Sequence, residues 1–306
     1  MTFLNAALGS LSLKNPIMAA SGVFGYGLEL AQFCPPESLG AVICKGVSLA
    51  PWPGNPGPRV VEAAGGLVNA IGLENMGVQA FVQKALNPLK DRGATVGANV
   101  IGRQMEEYAQ VTEILSDTAV DFLELNVSCP NLAQGGLSFG ADPDQAARLT
   151  EMAVKKAQGK PILVKLPPLV SDITLLAKKV EEAGATGLSL INTVPALVID
   201  AKTRKAALGH ITGGLSGQPI KPLALRQVYL AAQAVKIPIV GLGGIFTGLD
   251  AAEFIIAGAS AVQIGTAILV DPKSPLRILA ELKDYFISEN IPDLASLRGT
   301  LKNPNA

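Results

Sequence analysis

The chain has 306 residues, of which 49% are hydrophobic and 16% are charged, a composition that predicts a large buried core. Lysine plus arginine equals aspartate plus glutamate, with 25 of each pair, so the charge gives no support for a nucleic acid or an anionic membrane as partner. The three cysteines, Cys34, Cys44 and Cys129, are too few and too scattered for a disulfide framework or a zinc site, and they favour a reducing compartment.

The N-terminal residues lack the basic and then apolar pattern of a signal peptide. Apolar runs elsewhere reach about ten residues, well short of the roughly 20 that a membrane-spanning helix needs. From these two features we expect a soluble, cytoplasmic protein.

Strand candidates recur along the whole chain, and helical patterns separate most of them. Residues 4–15 alternate around Gly9 and Ser10, which predicts a hairpin that caps the floor of a barrel. Strand followed by helix, repeated eight times, predicts an α/β fold of the (β/α)8 TIM barrel class, with residues 1–306 forming a single domain. The apolar strand candidates are residues 16–21, 41–48, 95–100, 122–128, 161–167, 187–193, 237–244 and 261–268.

Helix boundaries and an internal repeat support the barrel. Ser171 is expected to cap one helix, and Asp142 to cap another that has Pro143 in its first position. Residues 160–191 resemble residues 236–265, about 75 positions later, so a strand–helix–strand block recurs as in folds built from repeats.

Three stretches do not fit a minimal barrel. Residues 51–75 are rich in proline and glycine, and residues 195–219 contain two alternating segments around Lys202 to Lys205, which predict a small antiparallel insertion. Both stretches would emerge at the catalytic end and could build a lid or side wall. Residues 131–142 form a glycine-containing loop suited to a flap that opens and closes.

The fourth predicted strand ends in polar groups that no packing argument requires. Asn126, Cys129 and Asn131 follow one another at the C-terminal end of this strand, where parallel barrels carry catalytic residues. A free cysteine is more often a small buried hydrophobe. However, the single histidine, His210, falls in an insertion, so elimination assigns the acid–base role to Cys129.

Two lysines and three glycine motifs indicate a bound anion. Lys45 and Lys165 each interrupt an apolar strand, which favours an anionic or electron-rich ligand over a snorkelling core residue. A lysine beside the pyrimidine edge of a flavin would stabilise its reduced form. Residues 213–217, 241–244 and 264–266 predict a phosphate site after the seventh and eighth strands. A flavin-free isomerase or aldolase of sugar phosphates, and a regulatory barrel without chemistry, stay open as alternatives.

Beyond these patterns, the chain resembles the class 1 dihydroorotate dehydrogenases, which are FMN-containing barrels of pyrimidine biosynthesis. The resemblance rests on motifs that span nearly the whole sequence in order: NPIMAASGVFGYG, ICKGVS, NAIGLEN, GANVIG, ELNVSCPN, VKLPP, INT, TGGLSG, GLGGI and IGTA. The cysteine in ELNVSCPN is similar to class 1, because the membrane-bound class 2 enzymes carry serine as base and an N-terminal membrane helix. NAIGLEN, GANVIG and HITGGLSG are more similar to the NAD-linked B subclass than to the fumarate-linked A subclass, which we keep as an alternative.

The resemblance implies a mechanism and a set of partners. Cys129 would act as general base, and Lys45 would assist, while a hydride passes from dihydroorotate to FMN and orotate forms. Electrons would then reach NAD through a partner subunit that carries FAD and a [2Fe-2S] cluster, in a heterotetramer built on a homodimer of this chain. No metal site is expected on this chain itself.

The resemblance also implies which residues line the site. The expected FMN contacts are Ser21, Lys45, Gly46, Asn99, Asn126, Lys165, Ile191, Gly217, Gly243, Gly244, Gly265 and Thr266. The expected dihydroorotate contacts are Lys45, Asn69, Ala70, Ile71, Gly72, Leu73, Asn126, Asn131, Asn192 and Thr193.

Overall fold

The computed structural model describes residues 3–128, 130–131 and 137–303. The expected base, Cys129, and the centre of the expected flap, residues 132–136, lie outside the described residues. In the part of the chain that is described, no helix has both the length and the apolar character needed to cross a bilayer.

The strands are short and most are buried. In chain order they are β1 (Ala6–Leu8), β2 (Leu11–Leu13), β3 (Ile17–Ala19), β4 (Ala41–Val47), β5 (Val60–Ala63), β6 (Gly66–Asn69), β7 (Val96–Val100), β8 (Phe122–Asn126), β9 (Pro130–Asn131), β10 (Leu137–Ser138), β11 (Ile162–Lys165), β12 (Gly187–Leu190), β13 (Val194–Ala196), β14 (Ile199–Asp200), β15 (Lys205–Ala206), β16 (Gly213–Gly217), β17 (Ile239–Leu242) and β18 (Ala261–Ile264).

The helices pack around the strands. They are α1 (Val78–Phe81), α2 (Asn87–Asp91), α3 (Met105–Ser116), α4 (Pro143–Lys156), α5 (Ile173–Glu182), α6 (Lys221–Ala234), α7 (Gly248–Ile256), α8 (Thr266–Val270), α9 (Ser274–Ser288) and α10 (Leu294–Leu297). A π-helical segment, Val82–Leu86, joins α1 to α2.

Eight parallel strands close into a barrel, which confirms the predicted fold class. Strands β3, β4, β7, β8, β11, β12, β17 and β18 pair in chain order, and β18 returns to pair with β3. Each barrel strand falls within its predicted segment, but several predicted ends extend too far. The clearest case is the predicted segment 261–268, where the strand ends at Ile264 and α8 begins at Thr266.

The first unit of the barrel has no α-helix among the described residues, so here the structure departs from the strand–helix repeat. Residues between β3 and β4 form turns and one 3-10 helix, Pro36–Ser38. Gly25 and Gly27 take φ values of 57° and 111°, which an α-helix does not allow. The Glu29 carboxylate accepts hydrogen bonds from the N–H groups of Tyr26 and Gly27 at about 3 Å and holds the turn in place.

Helix caps agree with the sequence in one case and differ by one residue in the other. The side chain of Asp142 accepts the N–H of Asp144 at 2.9 Å and caps α4, as predicted. Helix α5 is capped by Asp172 and not by Ser171, because the Asp172 carboxylate accepts the N–H of Thr174 at 2.8 Å.

The N-terminal hairpin closes the floor of the barrel, as predicted. Strands β1 and β2 pair across the Gly9 turn, and their residues Leu8 and Leu13 are buried. A Cβ on Gly9 would lie 2.5 Å from the Thr186 side chain, which immediately precedes β12. The turn therefore packs against the N-terminal end of a barrel strand.

The two large insertions combine at the opposite end into one structure that the sequence did not reveal. Strands β5 and β6 from the first insertion and β13 and β16 around the second form an antiparallel sheet in the order β13-β16-β6-β5, which we call the lid sheet. A small hairpin of β14 and β15 projects from the second insertion, as predicted. The lid sheet covers the C-terminal ends of the barrel strands.

Candidate active site

A cavity of about 430 Å³ lies between the C-terminal ends of the barrel strands and the lid sheet. This volume is within the range of roughly 300–1,000 Å³ that is usual for small-molecule sites. Every residue that the resemblance assigned to FMN contributes to its wall: Ser21, Lys45, Gly46, Asn99, Asn126, Lys165, Ile191, Gly217, Gly243, Gly244, Gly265 and Thr266.

Most of the residues assigned to the substrate share the same cavity. Two of them, Ala70 and Gly72, are not among the lining residues. The Ala70 N–H donates to the Arg59 carbonyl at 2.8 Å, and a Cβ on Gly72 would meet the Asn55 backbone, so both pack against other residues of the first insertion. The residues that do line the cavity are Lys45, Asn69, Ile71, Leu73, Asn126, Asn192 and Thr193.

Two further assigned residues cannot be placed in the cavity. Cys129 lies outside the described residues. The backbone of Asn131 belongs to β9, which pairs with Leu137 of β10. Two of the expected substrate residues that do line the cavity contact each other, because the Asn192 amide donates to Asn126 Oδ1 at 3.3 Å.

A buried carboxylate lies directly beneath this cavity, and the sequence analysis missed it. Glu124 of β8 has no exposed surface. Its Oε1 accepts a hydrogen bond from Asn99 Nδ2 at 2.8 Å and lies 3.7 Å from Lys165 Nζ. Its Oε2 accepts from Ser189 Oγ at 2.8 Å and from Gln263 Nε2 at 2.7 Å. An acidic residue within the apolar segment 122–127 was the available signal.

Lys45 also has a carboxylate partner that was not anticipated. The pairing of β4 with β7 shifts register between Cys44 and Val47, so Lys45 sits in an irregularity that turns its side chain toward the cavity. Its Nζ lies 3.7 Å from the Glu74 carboxylate, which also pairs with Arg59 at 2.7 Å. Both lysines are therefore paired with acids, and their presence in apolar strands does not by itself require an anionic ligand.

Bare backbone forms one side of the cavity. A Cβ built on Gly22 or on Gly265 would meet nothing within 4 Å, so these positions open directly onto free space. Gly243 and Gly244 take φ values of 126° and 76°, which glycine adopts without strain. Such a wall brings N–H groups and not side chains to a ligand.

One of the three predicted glycine motifs is placed differently from expectation. Residues 213–217 form β16 of the lid sheet and precede the seventh barrel strand, so they do not follow it. Their C-terminal residue, Gly217, nevertheless reaches the same wall, because a Cβ on Gly244 would lie 3.0 Å from the Gly217 carbonyl oxygen. The Thr266 hydroxyl donates to Ser216 Oγ at 2.8 Å and ties the lid sheet to the start of α8.

Asn75 fixes the loop that carries the expected substrate contacts. Its Oδ1 accepts from Ser48 Oγ at 2.9 Å and from the Gly77 N–H at 2.8 Å, and its Nδ2 donates to the Leu73 carbonyl at 3.0 Å. Leu73 has a φ of 58°, a left-handed conformation that is uncommon outside glycine. The asparagine thus holds a strained residue at the cavity wall.

The other two thiols lie away from the cavity. Cys34 and Cys44 are fully buried and neither lines it. Burial raises the pKa of the Cys34 thiol to about 11 and also raises the pKa of Cys44, whose Sγ donates to the Tyr26 carbonyl at 3.0 Å. Neither thiol is placed to exchange a proton with a ligand in the cavity.

Comparison with known proteins gives consistent matches over nearly the full chain. A family model described as Dihydroorotate dehydrogenase matches residues 3–286. The protein from Geobacter sp. (strain M21) named Dihydroorotate dehydrogenase B (NAD(+)), catalytic subunit, is 47% identical over 300 residues, which cover 98% of each chain. The protein of the same name from Alkaliphilus metalliredigens (strain QYMF) is 46% identical over 294 residues, covering 96% of this chain and 97% of that one.

A relative with a different subclass name is equally similar. The protein from Solibacter usitatus (strain Ellin6076) named Putative dihydroorotate dehydrogenase A (fumarate) is 50% identical over 300 residues, again 98% of each chain. Percentage identity therefore does not separate the two subclass names.

Proposed function

The chain belongs to the dihydroorotate dehydrogenase family, and from that premise we propose that it oxidises dihydroorotate to orotate with FMN held in the cavity. The observation that carries this proposal is the convergence of all the expected cofactor residues on one cavity at the C-terminal end of the barrel. That end of a parallel barrel is where active sites are built.

The residues present fit a flavin. The wall at Gly22 and Gly265 leaves space that a Cβ would fill, as a flat ring or a phosphate group requires for close backbone approach. Lys165 and Asn99 also line the cavity, and their ammonium and amide groups suit the oxygen and nitrogen atoms of a pyrimidine-like edge. When bound, the flavin would supply the hydride acceptor.

The protein itself would bind and orient the substrate. Asn69, Asn126 and Asn192 offer carboxamides, each with a donor and an acceptor, to a flat ring rich in amide groups. Lys45 would attract the substrate carboxylate, an attraction that strengthens when the lid excludes water. Cys129 would remove the proton from the substrate carbon. An ordinary thiol has a pKa of about 8.5. Therefore either the site stabilises the Cys129 thiolate, or the reaction becomes faster at alkaline pH.

We further propose that electrons pass to NAD through a partner subunit. The motif similarity to the B subclass supports this, together with relatives whose names include NAD(+) and catalytic subunit. The partner would carry FAD and a [2Fe-2S] cluster and would join a homodimer of this chain in a heterotetramer. The name of the Solibacter usitatus relative supports the fumarate-linked reaction as the alternative.

Absorption and turnover of the purified chain test these proposals. We expect a flavin spectrum that bleaches when dihydroorotate is added, and NAD reduction that requires the electron-transfer subunit. A colourless protein that neither binds added FMN nor oxidises dihydroorotate would refute the flavin site and favour a flavin-free barrel. Rapid fumarate reduction by the chain without a partner would instead establish the A-type reaction.

A further inference from the structure

The interior of the barrel just below the cavity contains charge where parallel barrels usually contain branched aliphatic side chains. Glu124 is fully buried, and Lys165 is 5% exposed. Lys165 lines the cavity and Glu124 does not. Any effect of the Glu124 carboxylate on a ligand is therefore indirect, through the position of Lys165 and through the electric field of the carboxylate.

Among the described residues, each hydrogen-bond or ion-pair partner of the Glu124 carboxylate brings a donor or a positive charge. Asn99, Ser189 and Gln263 each donate a hydrogen bond, and Lys165 supplies the ammonium. Gln263 turns its nitrogen toward Glu124 even though its buried Oε1 then has no hydrogen-bond partner among the described residues. An ionised carboxylate only accepts hydrogen bonds, so this arrangement suits a negative charge at Glu124.

The carboxylate joins five of the eight barrel strands. Its donors come from β7, β12 and β18, its ammonium partner comes from β11, and it stands on β8 itself. Two of these partners, Asn99 and Lys165, are also exposed to the cavity. Replacing Glu124 would therefore affect two cavity residues at once, because Asn99 would lose its hydrogen-bond acceptor and Lys165 would lose its charge partner.

We propose that Glu124 is a positioning residue that fixes Lys165 and Asn99 in the cavity floor and, by offsetting the lysine charge, lowers the reduction potential of the bound flavin. This inference rests on the proposed flavin site. Reduction adds negative charge to a flavin, and a nearby positive charge favours that form. The carboxylate, 3.7 Å from the ammonium, opposes this effect because its negative charge partly offsets the positive charge of the lysine in the cavity.

The central experiment is the reduction potential of the FMN-loaded Glu124→Gln variant, measured by equilibration with a redox dye. Glutamine keeps the size of the side chain and removes its charge. We expect the ratio of reduced to oxidised flavin at a fixed dye potential to rise about tenfold, which corresponds to ~30 mV for a two-electron couple. Lys165→Met should shift the ratio in the opposite direction.

The double variant tests whether the two residues act as a charge pair. Removing both charges leaves no unpaired buried charge, so Glu124→Gln/Lys165→Met should fold even if Glu124→Gln does not. Its ratio of reduced to oxidised flavin should lie between the ratios of the two single variants. The affinity of the apoproteins for FMN, followed by quenching of flavin fluorescence, gives a readout that does not depend on turnover.

Asp121→Asn is a matched control immediately before the same strand. Asp121 precedes β8 at the opposite end of the barrel and pairs with Lys90 at 2.6 Å, so it is also a carboxylate in an ion pair. A five-residue strand separates it from the cavity by roughly 16 Å. We expect its reduction potential and its FMN affinity to equal those of the parent.

The outcomes are distinct. An unchanged or lowered potential in Glu124→Gln would overturn the inference, and so would a double variant that behaves like Lys165→Met. A parent protein that binds no FMN would instead refute the proposed function. A shift of equal size in Asp121→Asn would show that the loss of any acid on or next to this strand has the same effect, which also contradicts a specific role for Glu124.

Discussion

Lys45 and Lys165 show how two residues that look alike in sequence differ in their surroundings. The side chains of Lys45 and its partner Glu74 are 26% and 47% exposed, and an ion pair this open contributes about 0–1 kcal/mol. Lys45 can therefore leave Glu74 for an anionic substrate at little cost. The buried pair of Lys165 and Glu124 cannot separate so cheaply, because losing one partner of a buried pair costs about 3–5 kcal/mol.

The role of Cys129 is testable against the other thiols. We expect Cys129→Ala to retain its flavin and to lose roughly 2 to 4 orders of magnitude in rate, the scale of a general base. Cys129→Ser should keep a small activity that shifts to higher pH, because a hydroxyl ionises far less readily than a thiol. Rapid single-turnover reduction of the flavin by dihydroorotate measures this step directly.

Cys34→Ala provides the control for that experiment. Because burial raises the pKa of Cys34 to about 11, this thiol stays protonated and unreactive near neutral pH. The control variant should turn over like the parent, and alkylation of the native parent should modify Cys129 and spare Cys34 and Cys44. A fast Cys129→Ala enzyme would exclude Cys129 as the base.

At the scale of elements, the lid sheet is the part of the molecule that distant segments build together. Gly66 of β6 faces β16 so closely that a Cβ would lie 2.1 Å from the Ser216 carbonyl oxygen. Asn69 ends the same strand, and its amide donates to the Gly214 carbonyl at 3.1 Å. The pairing of β6 with β16 therefore places Asn69 in the cavity wall.

Disturbing this pairing should affect both the substrate and the flavin. In Gly66→Ala the added methyl forces β6 and β16 apart, and overpacking of this kind costs about 1–3 kcal/mol. Gly66 is paired with Gly217, an expected FMN contact, and Asn69 lies at the other end of the same pairing. We therefore expect the KM for dihydroorotate to rise about tenfold, the equivalent of ~1.4 kcal/mol, and the flavin content to fall. Steady-state kinetics and the flavin-to-protein absorbance ratio measure the two effects.

Gly57→Ala is the matched substitution in the same insertion. A Cβ at Gly57 would meet nothing within 4 Å, so this variant should keep the KM of the parent. If Gly66→Ala binds dihydroorotate normally, the lid sheet does not set substrate affinity.

The helical elements show how far local patterns reach. Asp142 was identified as the cap of α4 because the cap residue and the following proline are neighbours in sequence. The absence of an α-helix after β3 was missed, although the closely spaced Gly22, Gly25 and Gly27 were the sequence signal for turns.

For the molecule as a whole, one domain remains our prediction. A single apolar cluster extends from Leu4 to Leu297 and includes residues of every barrel strand. We therefore expect one cooperative thermal transition, with loss of helical circular dichroism and release of flavin at the same temperature, and a higher midpoint when FMN is in excess. Separate transitions for the lid and the barrel would contradict a single folding unit.

The sequence by itself determined the order of the barrel strands, their polar C-terminal ends and the family of the chain. These features are encoded locally, in apolar runs, turn residues and short motifs such as the one ending at Asn126. Tertiary structure alone decided that residues 51–75 and 195–219 share one sheet, and that Glu124 lies against Lys165. Those contacts depend on closure of the barrel and on the register between strands, and a chain read in one dimension carries neither.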